Sequence, residues 1–208
     1  MTSLHTVRRQ DRIRIGLLGC GRIAVRHAEL LGKRQIDDAC LAAVCDIRPE
    51  RAATLAQKHD VPAFDSLDAM LSGADLDAVA VLTPSGMHAD HAVSTLRAGK
   101  HAIVEKPMAL TLADADRMVI AAHEAKRHLL VVKQNRFNVP VVKAREALDA
   151  GRFGQLVLGT VRVRWCRDQQ YYDQDRWRGT WAMDGGVVAN QASHHVDMLQ
   201  WFMGPVQS

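Results

Sequence analysis

The junction Gly19-Cys20-Gly21-Arg22-Ile23-Ala24, which follows the apolar run Ile13–Leu18 without a break, restricts the fold more than any other feature. A β-branched run cut by a glycine, with small residues two and five places on, predicts a strand that turns sharply into a helix. Gly19 serves the tight turn, Gly21 keeps a side chain off the mouth of the helix, and Ala24 lets helix and strand pack closely. The alternation then repeats. Apolar runs at 41–45, 78–82, 102–104 and 129–132 predict strands, and amphipathic stretches near 22–33, 49–59, 87–98 and 111–127 predict the helices between them. At 111 a hydroxyl and, three places on, a carboxylate (Thr111 and Asp114) form a start that satisfies orphan amides. Strands apolar on both faces and separated by helices predict an α/β fold with a doubly wound parallel sheet of the Rossmann type.

Beyond Gly154 the texture changes. Nine of the ten aromatic residues, all but Phe64, lie at or after Phe137. The stretch 160–166 alternates, with Val161, Val163 and Trp165 on one side and Thr160, Arg162, Arg164 and Cys166 on the other, as a half-buried strand would. Asp184-Gly185-Gly186 opens a helical run that Gly204-Pro205 closes. These signals predict a dinucleotide-binding Rossmann domain over 1–135 and the start of a second, α+β domain over 136–208. One strand and one helix do not close a sheet layer, so the second domain is expected to be incomplete here.

Composition excludes several classes. With 48% hydrophobic and 24% charged residues the chain is not a disordered one. A net charge of +4 without a basic block argues against nucleic acid as partner. No apolar stretch approaches the ~20 residues of a membrane span. Cys20, Cys40, Cys45 and Cys166 form neither a CxxC pair nor a disulfide framework, which predicts reduced, mostly buried thiols in a cytoplasmic protein. Arg8-Arg9 imitates a twin-arginine export signal, but Gly16, Gly19, Gly21, Arg14 and Arg22 interrupt the apolar segment that such a signal needs.

The glycine turn places unpaired amides and the positive end of a helix where a dinucleotide pyrophosphate would lie. Asp46 ends the second strand 22 positions after Ala24, where a ribose diol is accepted; it favours NAD over NADP, although Arg48 beside it could take a 2′-phosphate. Thr83-Pro84-Ser85-Gly86-Met87-His88 ends the third strand, where ligands bind in parallel sheets. His88 is either a cofactor-lining residue or a helix-surface one. His88 and His91 lack the acidic or thiolate companions of a metal site, so no metal is expected. Glu105-Lys106-Pro107 delivers an amine to the sheet mouth, where partial desolvation would draw its pKa toward neutrality; a plain surface lysine at a strand end is the other reading. Asn190, His194 and Asp197 share a helical face, either as an acid/base histidine with two polar supports or as a satisfied buried histidine or subunit contact. All basic residues beyond 150 are arginines. Arg164, Arg167, Arg176 and Arg178, with Tyr171 and Tyr172, could grip a nucleotide-sugar, or several could face solvent or a second subunit.

Taken in this order, the glycine junction, the acidic strand end, Thr83-Pro84 with His88, Glu105-Lys106-Pro107 and the Asn190/His194 helix resemble the Gfo/Idh/MocA family of NAD(P)-dependent sugar oxidoreductases over residues 12–205. The segments 164–172, 177–181 and 190–197 resemble in particular its UDP-N-acetylglucosaminuronate 3-dehydrogenases. The resemblance implies Lys106 and His194 as the catalytic pair. It implies cofactor contacts from Gly19, Gly21, Arg22, Ile23, Asp46, Thr83, Pro84, Ser85, His88, Glu105 and Lys106. Substrate contacts are implied for Lys106, Arg164, Arg167, Tyr172, Asn190 and His194. The implied reaction oxidises C3′ of UDP-N-acetylglucosaminuronic acid, for surface polysaccharide precursors, in a homo-oligomer (dimer or tetramer) with a 2-oxo acid as the implied oxidant of its NADH. An inositol or free-sugar dehydrogenase, and a shortened chain that binds dinucleotide without turnover, are the alternatives. Many family members carry aspartate where this chain has Asn190, which removes one charge from the site.

Overall fold

Residues 12–33 and 35–206 are described by the computed structural model; Arg8 and Arg9, and with them the export question, lie outside the described residues. The chain runs β1 (Ile13–Leu18), α1 (Arg22–Gly32), β2 (Ala39–Cys45), α2 (Pro49–His59), β3 (Ala63–Phe64), α3 (Leu67–Gly73), β4 (Ala78–Val81), α4 (His88–Arg97), β5 (His101–Val104), α5 (Leu112–Ala125) and β6 (Leu129–Val131). The six strands form one sheet in the order β3-β2-β1-β4-β5-β6, and every neighbouring pair is parallel. The expected doubly wound class is therefore present.

Its core explains why these strands read as unbroken apolar runs. Leu17, Val44, Ala80 and Leu55 belong to one buried cluster; Val79, Val81, Val104, Leu96 and Met118 belong to a second. Truncating one fully buried side chain such as Leu17 to alanine should cost about 2–5 kcal/mol, the lost transfer energy plus a cavity. Thr111 caps α5 as its sequence suggests, its hydroxyl oxygen accepting the Asp114 amide at 3.1 Å. Strand order reverses between β1 and β4, and in such sheets the crevice beyond the carboxyl ends at that point is where ligands bind.

The later half departs from expectation. After a 3₁₀ turn (Gln134–Phe137) come α6 (Val139–Asp149), α7 (Gln169–Asp173), a π turn (Val188–Ala192) and α8 (Ser193–Met203). The stretch 160–166 is not a strand. Alternation supplies a face, but a strand also needs a hydrogen-bonded neighbour, and among the described residues none lies beside it. Val157 and Leu158 just before it are 91% and 83% exposed, so the apolar side chains here lack a packing surface. Of the four thiols, all free, Cys20 and Cys45 are buried and Cys166 is exposed. Among the described residues no helix is long and apolar enough to cross a membrane, and no cluster of three metal-ligating side chains occurs.

Candidate active site

Gly19 sits at φ +96, and a Cβ on it would fall 2.9 Å from both the carbonyl carbon and oxygen of Leu82. Backbone cannot yield as a flexible side chain can, so glycine is required on two counts. Gly21 is different. It precedes α1 with an extended backbone (φ −77, ψ −166) and no side-chain cap, and a Cβ there would meet nothing within 4 Å. Gly21, Arg22 and Ile23 line the cleft, so the start of α1 opens on it, a cradle that fits a dinucleotide pyrophosphate.

Asp46 fixes the turn from the next strand. Its carboxylate accepts the Cys20 amide at 2.7 Å and the Arg48 amide at 2.9 Å, one on each oxygen. Each oxygen retains a further lone pair, enough to accept ribose hydroxyls in the cleft that Asp46 lines. Burial pushes the neighbouring Cys20 thiol up to about 12 and Cys45 up to about 11, with the Asp46 charge adding to both. Both shifts disfavour the thiolate.

The loops after β4 and β5 meet through His88. Its ring is 1% exposed, with Nδ1 2.7 Å from the Pro107 carbonyl oxygen and Nε2 2.9 Å from that of Thr83. Of the two readings left by the spacing, His88 lines the cleft and is not a surface residue; it ties the 83–88 loop to the 105–107 loop. Burial pushes its pKa down. Thr83 Oγ1 is also paired with His91 Nδ1 at 2.9 Å. Glu105 joins the second loop to α1, 3.2 Å from His27 Nε2, and accepts the Lys106 amide at 3.1 Å. Burial acts to raise the Glu105 carboxyl, but the bonds from His27 and from the Lys106 amide outweigh it and hold its pKa below the usual value. The Lys106–Pro107 peptide bond is cis.

Lys106 is not a plain surface lysine. Its Nζ donates to the Asn190 carbonyl oxygen at 2.8 Å and to the Asn190 side-chain oxygen at 3.0 Å. Two of its three donor positions are thus committed, and the third is left for a ligand. Burial lowers its pKa, while Glu105 and Asp184 pull it back up. His194, one turn beyond Asn190, is 9% exposed and lines the same cleft. Burial, with the charges of Lys106 and Lys133, pushes its pKa down, which favours the neutral imidazole. Its Nε2 lies 3.3 Å from the Gln134 side-chain amide.

The cleft has a volume of about 490 Å³, and every residue expected to hold the cofactor lines it. Of the residues expected to hold substrate, Lys106, Arg167, Asn190 and His194 line it, whereas Arg164 is exposed outside it. Tyr172 packs edge-on against Tyr171, which takes the lining position instead. Asp197 does not support His194. Its carboxylate pairs with both Nε and Nη2 of Arg136, at 2.8 and 2.7 Å, and with Lys133 at 3.7 Å, two cations that attract it more strongly than a neutral ring. Helical spacing alone misses Gln134, although it lies three positions beyond the carboxyl end of β6. In the 165–178 segment, Arg167, Arg178 and Tyr171, candidate grips on a nucleotide-sugar from the sequence, line the cleft, whereas Trp165, Asp175 and Trp177, which line it too, are not foreseen there. Arg167 there stacks 4.7 Å from the Tyr171 ring centroid, Arg178 donates to the Tyr171 hydroxyl at 2.7 Å, and Asp175 pairs with Arg51 at 3.3 Å.

Comparisons with known proteins identify the family and the fold. Residues 13–133 match the family model described as "Oxidoreductase family, NAD-binding Rossmann fold", and residues 141–208 match the Gfo/Idh/MocA C-terminal domain. The WlbA dehydrogenase of Bordetella pertussis, solved with NADH and UDP-GlcNAcA, is 45% identical with a TM-score of 0.90, over 94% of this chain and 59% of its own. The WlbA dehydrogenase of Chromobacterium violaceum, solved with the same two ligands, is 43% identical with a TM-score of 0.90, over 99% and 59%. A myo-inositol 2-dehydrogenase of Thermotoga maritima is 32% identical over 92% of this chain and 55% of its own length. The chain thus spans about half the length of the proteins it matches.

Proposed function

Because the chain belongs to the Gfo/Idh/MocA oxidoreductase family, we propose that it serves the NAD-dependent oxidation of a secondary alcohol on a nucleotide-sugar acid, C3′ of a UDP-N-acetylglucosaminuronate. One observation carries the reading: Lys106 and His194, 88 positions apart, line one wall of the cleft that opens on the glycine turn. NAD, when bound, supplies the hydride acceptor. The chain supplies the rest. Neutral His194 takes the hydroxyl proton as the carbon gives up hydride, and the Lys106 ammonium holds the charge that develops on the alkoxide oxygen. Arg167 and Arg178, drawn against Tyr171 at the cleft wall, provide cations for phosphate or carboxylate and an aromatic face for a base. The absent carboxylate at Asn190 suits a substrate that brings its own negative charge, and the two WlbA complexes with UDP-GlcNAcA support that choice.

The division at residue 135 is part of this reading, as are cytoplasmic location, a homo-oligomer and reoxidation of NADH by a 2-oxo acid. Free cysteines support the cytoplasmic location. The test is a panel assay that follows reduced cofactor with UDP-sugar acids, free sugars and inositols, each with NAD and NADP. Turnover is expected with NAD and the UDP-sugar acid. Preferential turnover of an inositol would instead favour the chemistry of the Thermotoga relative.

A further inference from the structure

Behind Asn190 lies a side chain that none of the roles above uses. Asp184 is 4% exposed, and its Oδ2 accepts the Gly179 amide at 2.6 Å. Its Oδ1 accepts the side-chain NH2 of Asn190. A carboxylate only accepts and a lysine amine at two N–H bonds only donates, so the Asn190 amide between them has a single satisfactory orientation, NH2 toward Asp184 and oxygen toward Lys106.

We propose that Asp184 is a positioning residue for Lys106, its buried carboxylate fixing the Asn190 amide so that the Asn190 oxygen faces Nζ. It also supplies, one residue removed, the negative charge that this chain lacks at position 190. The inference rests on the reading of Lys106 given above. The other charged groups around Nζ are Glu105 on its own loop, Arg178 from the 165–178 segment, Lys133 after β6 and, when protonated, His194 on α8. Glu105 and Asp184 are the two that favour the ammonium, and Arg178 and Lys133 oppose it.

A specific repair follows from the donor count. In Asp184→Asn the one remaining oxygen serves either Gly179 or Asn190, never both, so one pair of donors must face each other. Adding Asn190→Asp restores every bond: the amide introduced at 184 accepts from Gly179 and donates to the carboxylate introduced at 190, which in turn accepts from Lys106. The probe is the pH titration of Lys106 Cε in protein carrying 13C-labelled lysine, assigned with Lys106→Met and read without cofactor or substrate. Asp184→Asn is expected to lower the Lys106 midpoint by about one pH unit, and kcat should fall on the order of 10- to 100-fold while NAD affinity is kept. The double variant should bring the midpoint back to the wild-type value or above it, because its carboxylate touches Nζ directly; kcat is not expected to recover, since that charge faces the anionic substrate. A wild-type midpoint in Asp184→Asn overturns the proposal. If that variant does not fold, the double variant decides: a folded protein with a midpoint at or above the wild-type value upholds the coupling, and a lowered midpoint or an unfolded chain overturns it. Turnover that survives Lys106→Met would instead remove the catalytic reading, and the titration would still judge the coupling alone.

Discussion

Gly19 and Gly21 are two places apart in one motif, yet alanine should act on them through different physics. At Gly19 the added methyl meets the Leu82 carbonyl carbon and oxygen at 2.9 Å and the Thr83 nitrogen at 3.1 Å, while φ stays at +96. The backbone conformation alone costs about 1–2 kcal/mol for a residue with a Cβ. Overpacking against main chain adds about 1–3 kcal/mol. Gly19→Ala should therefore lose about 2–5 kcal/mol, read as a lower urea midpoint at unchanged slope. At Gly21 φ is negative and nothing lies within 4 Å, so Gly21→Ala should stay within about 1 kcal/mol of the wild type. Its methyl instead projects where the pyrophosphate is expected, and NAD affinity should fall at least about tenfold, roughly 1.4 kcal/mol. Titration of NAD into each folded variant checks the second half. Wild-type affinity in Gly21→Ala would refute the placement of the pyrophosphate, and wild-type stability in Gly19→Ala would refute the steric argument.

Three further outcomes are expected. Asp46→Ala strands the buried Cys20 amide, at about 1–3 kcal/mol, and should also weaken NAD and narrow its advantage over NADP; unchanged selectivity would mean that Asp46 does not hold the ribose. The Arg14 guanidinium holds the Asp77 carboxyl at about 2, below its ordinary 3.8. A lowered carboxyl pKa stabilises the fold above about pH 4 and loses that contribution as pH falls toward 2, so the stability gap between wild type and Asp77→Asn should narrow across that window. A constant gap in urea midpoints would contradict it. Asp197→Ala should destabilise the protein by releasing Arg136 and Lys133, with the largest change in hydrogen exchange at 134–137 and the start of α8; protection confined to wild-type values there would show that the ion pair anchors nothing.

The first half of the chain was legible because its determinants are local. The β1 run, the glycine turn, the α1 periodicity and Asp46 lie within 34 consecutive residues, and turn chemistry and strand burial leave one arrangement for them. Each residue there expected to touch the cofactor lines the cleft. The second half is decided by distant contacts. Lys106 meets Asn190 across 84 positions and Arg136 meets Asp197 across 61, and neither pairing leaves a periodic trace. Alternation at 160–166 reads as a strand, but periodicity reports a two-sided segment and says nothing about a pairing neighbour. Helical spacing correctly puts Asn190 and His194 on one wall. It cannot foresee that Asp197, on the same nominal face, is captured by Arg136, or that Asp184 reaches Lys106 through Asn190.

The central claim is that an amine and an imidazole brought together from distant segments act on one alcohol beside the cofactor. The most direct measurement compares wild type, Lys106→Met and His194→Ala for NAD affinity and for turnover of a UDP-sugar acid in the same preparations. Each variant should bind NAD within about threefold of the wild type and lose turnover by at least about 100-fold. Turnover near the wild-type rate in either variant, with cofactor still bound, would contradict the account.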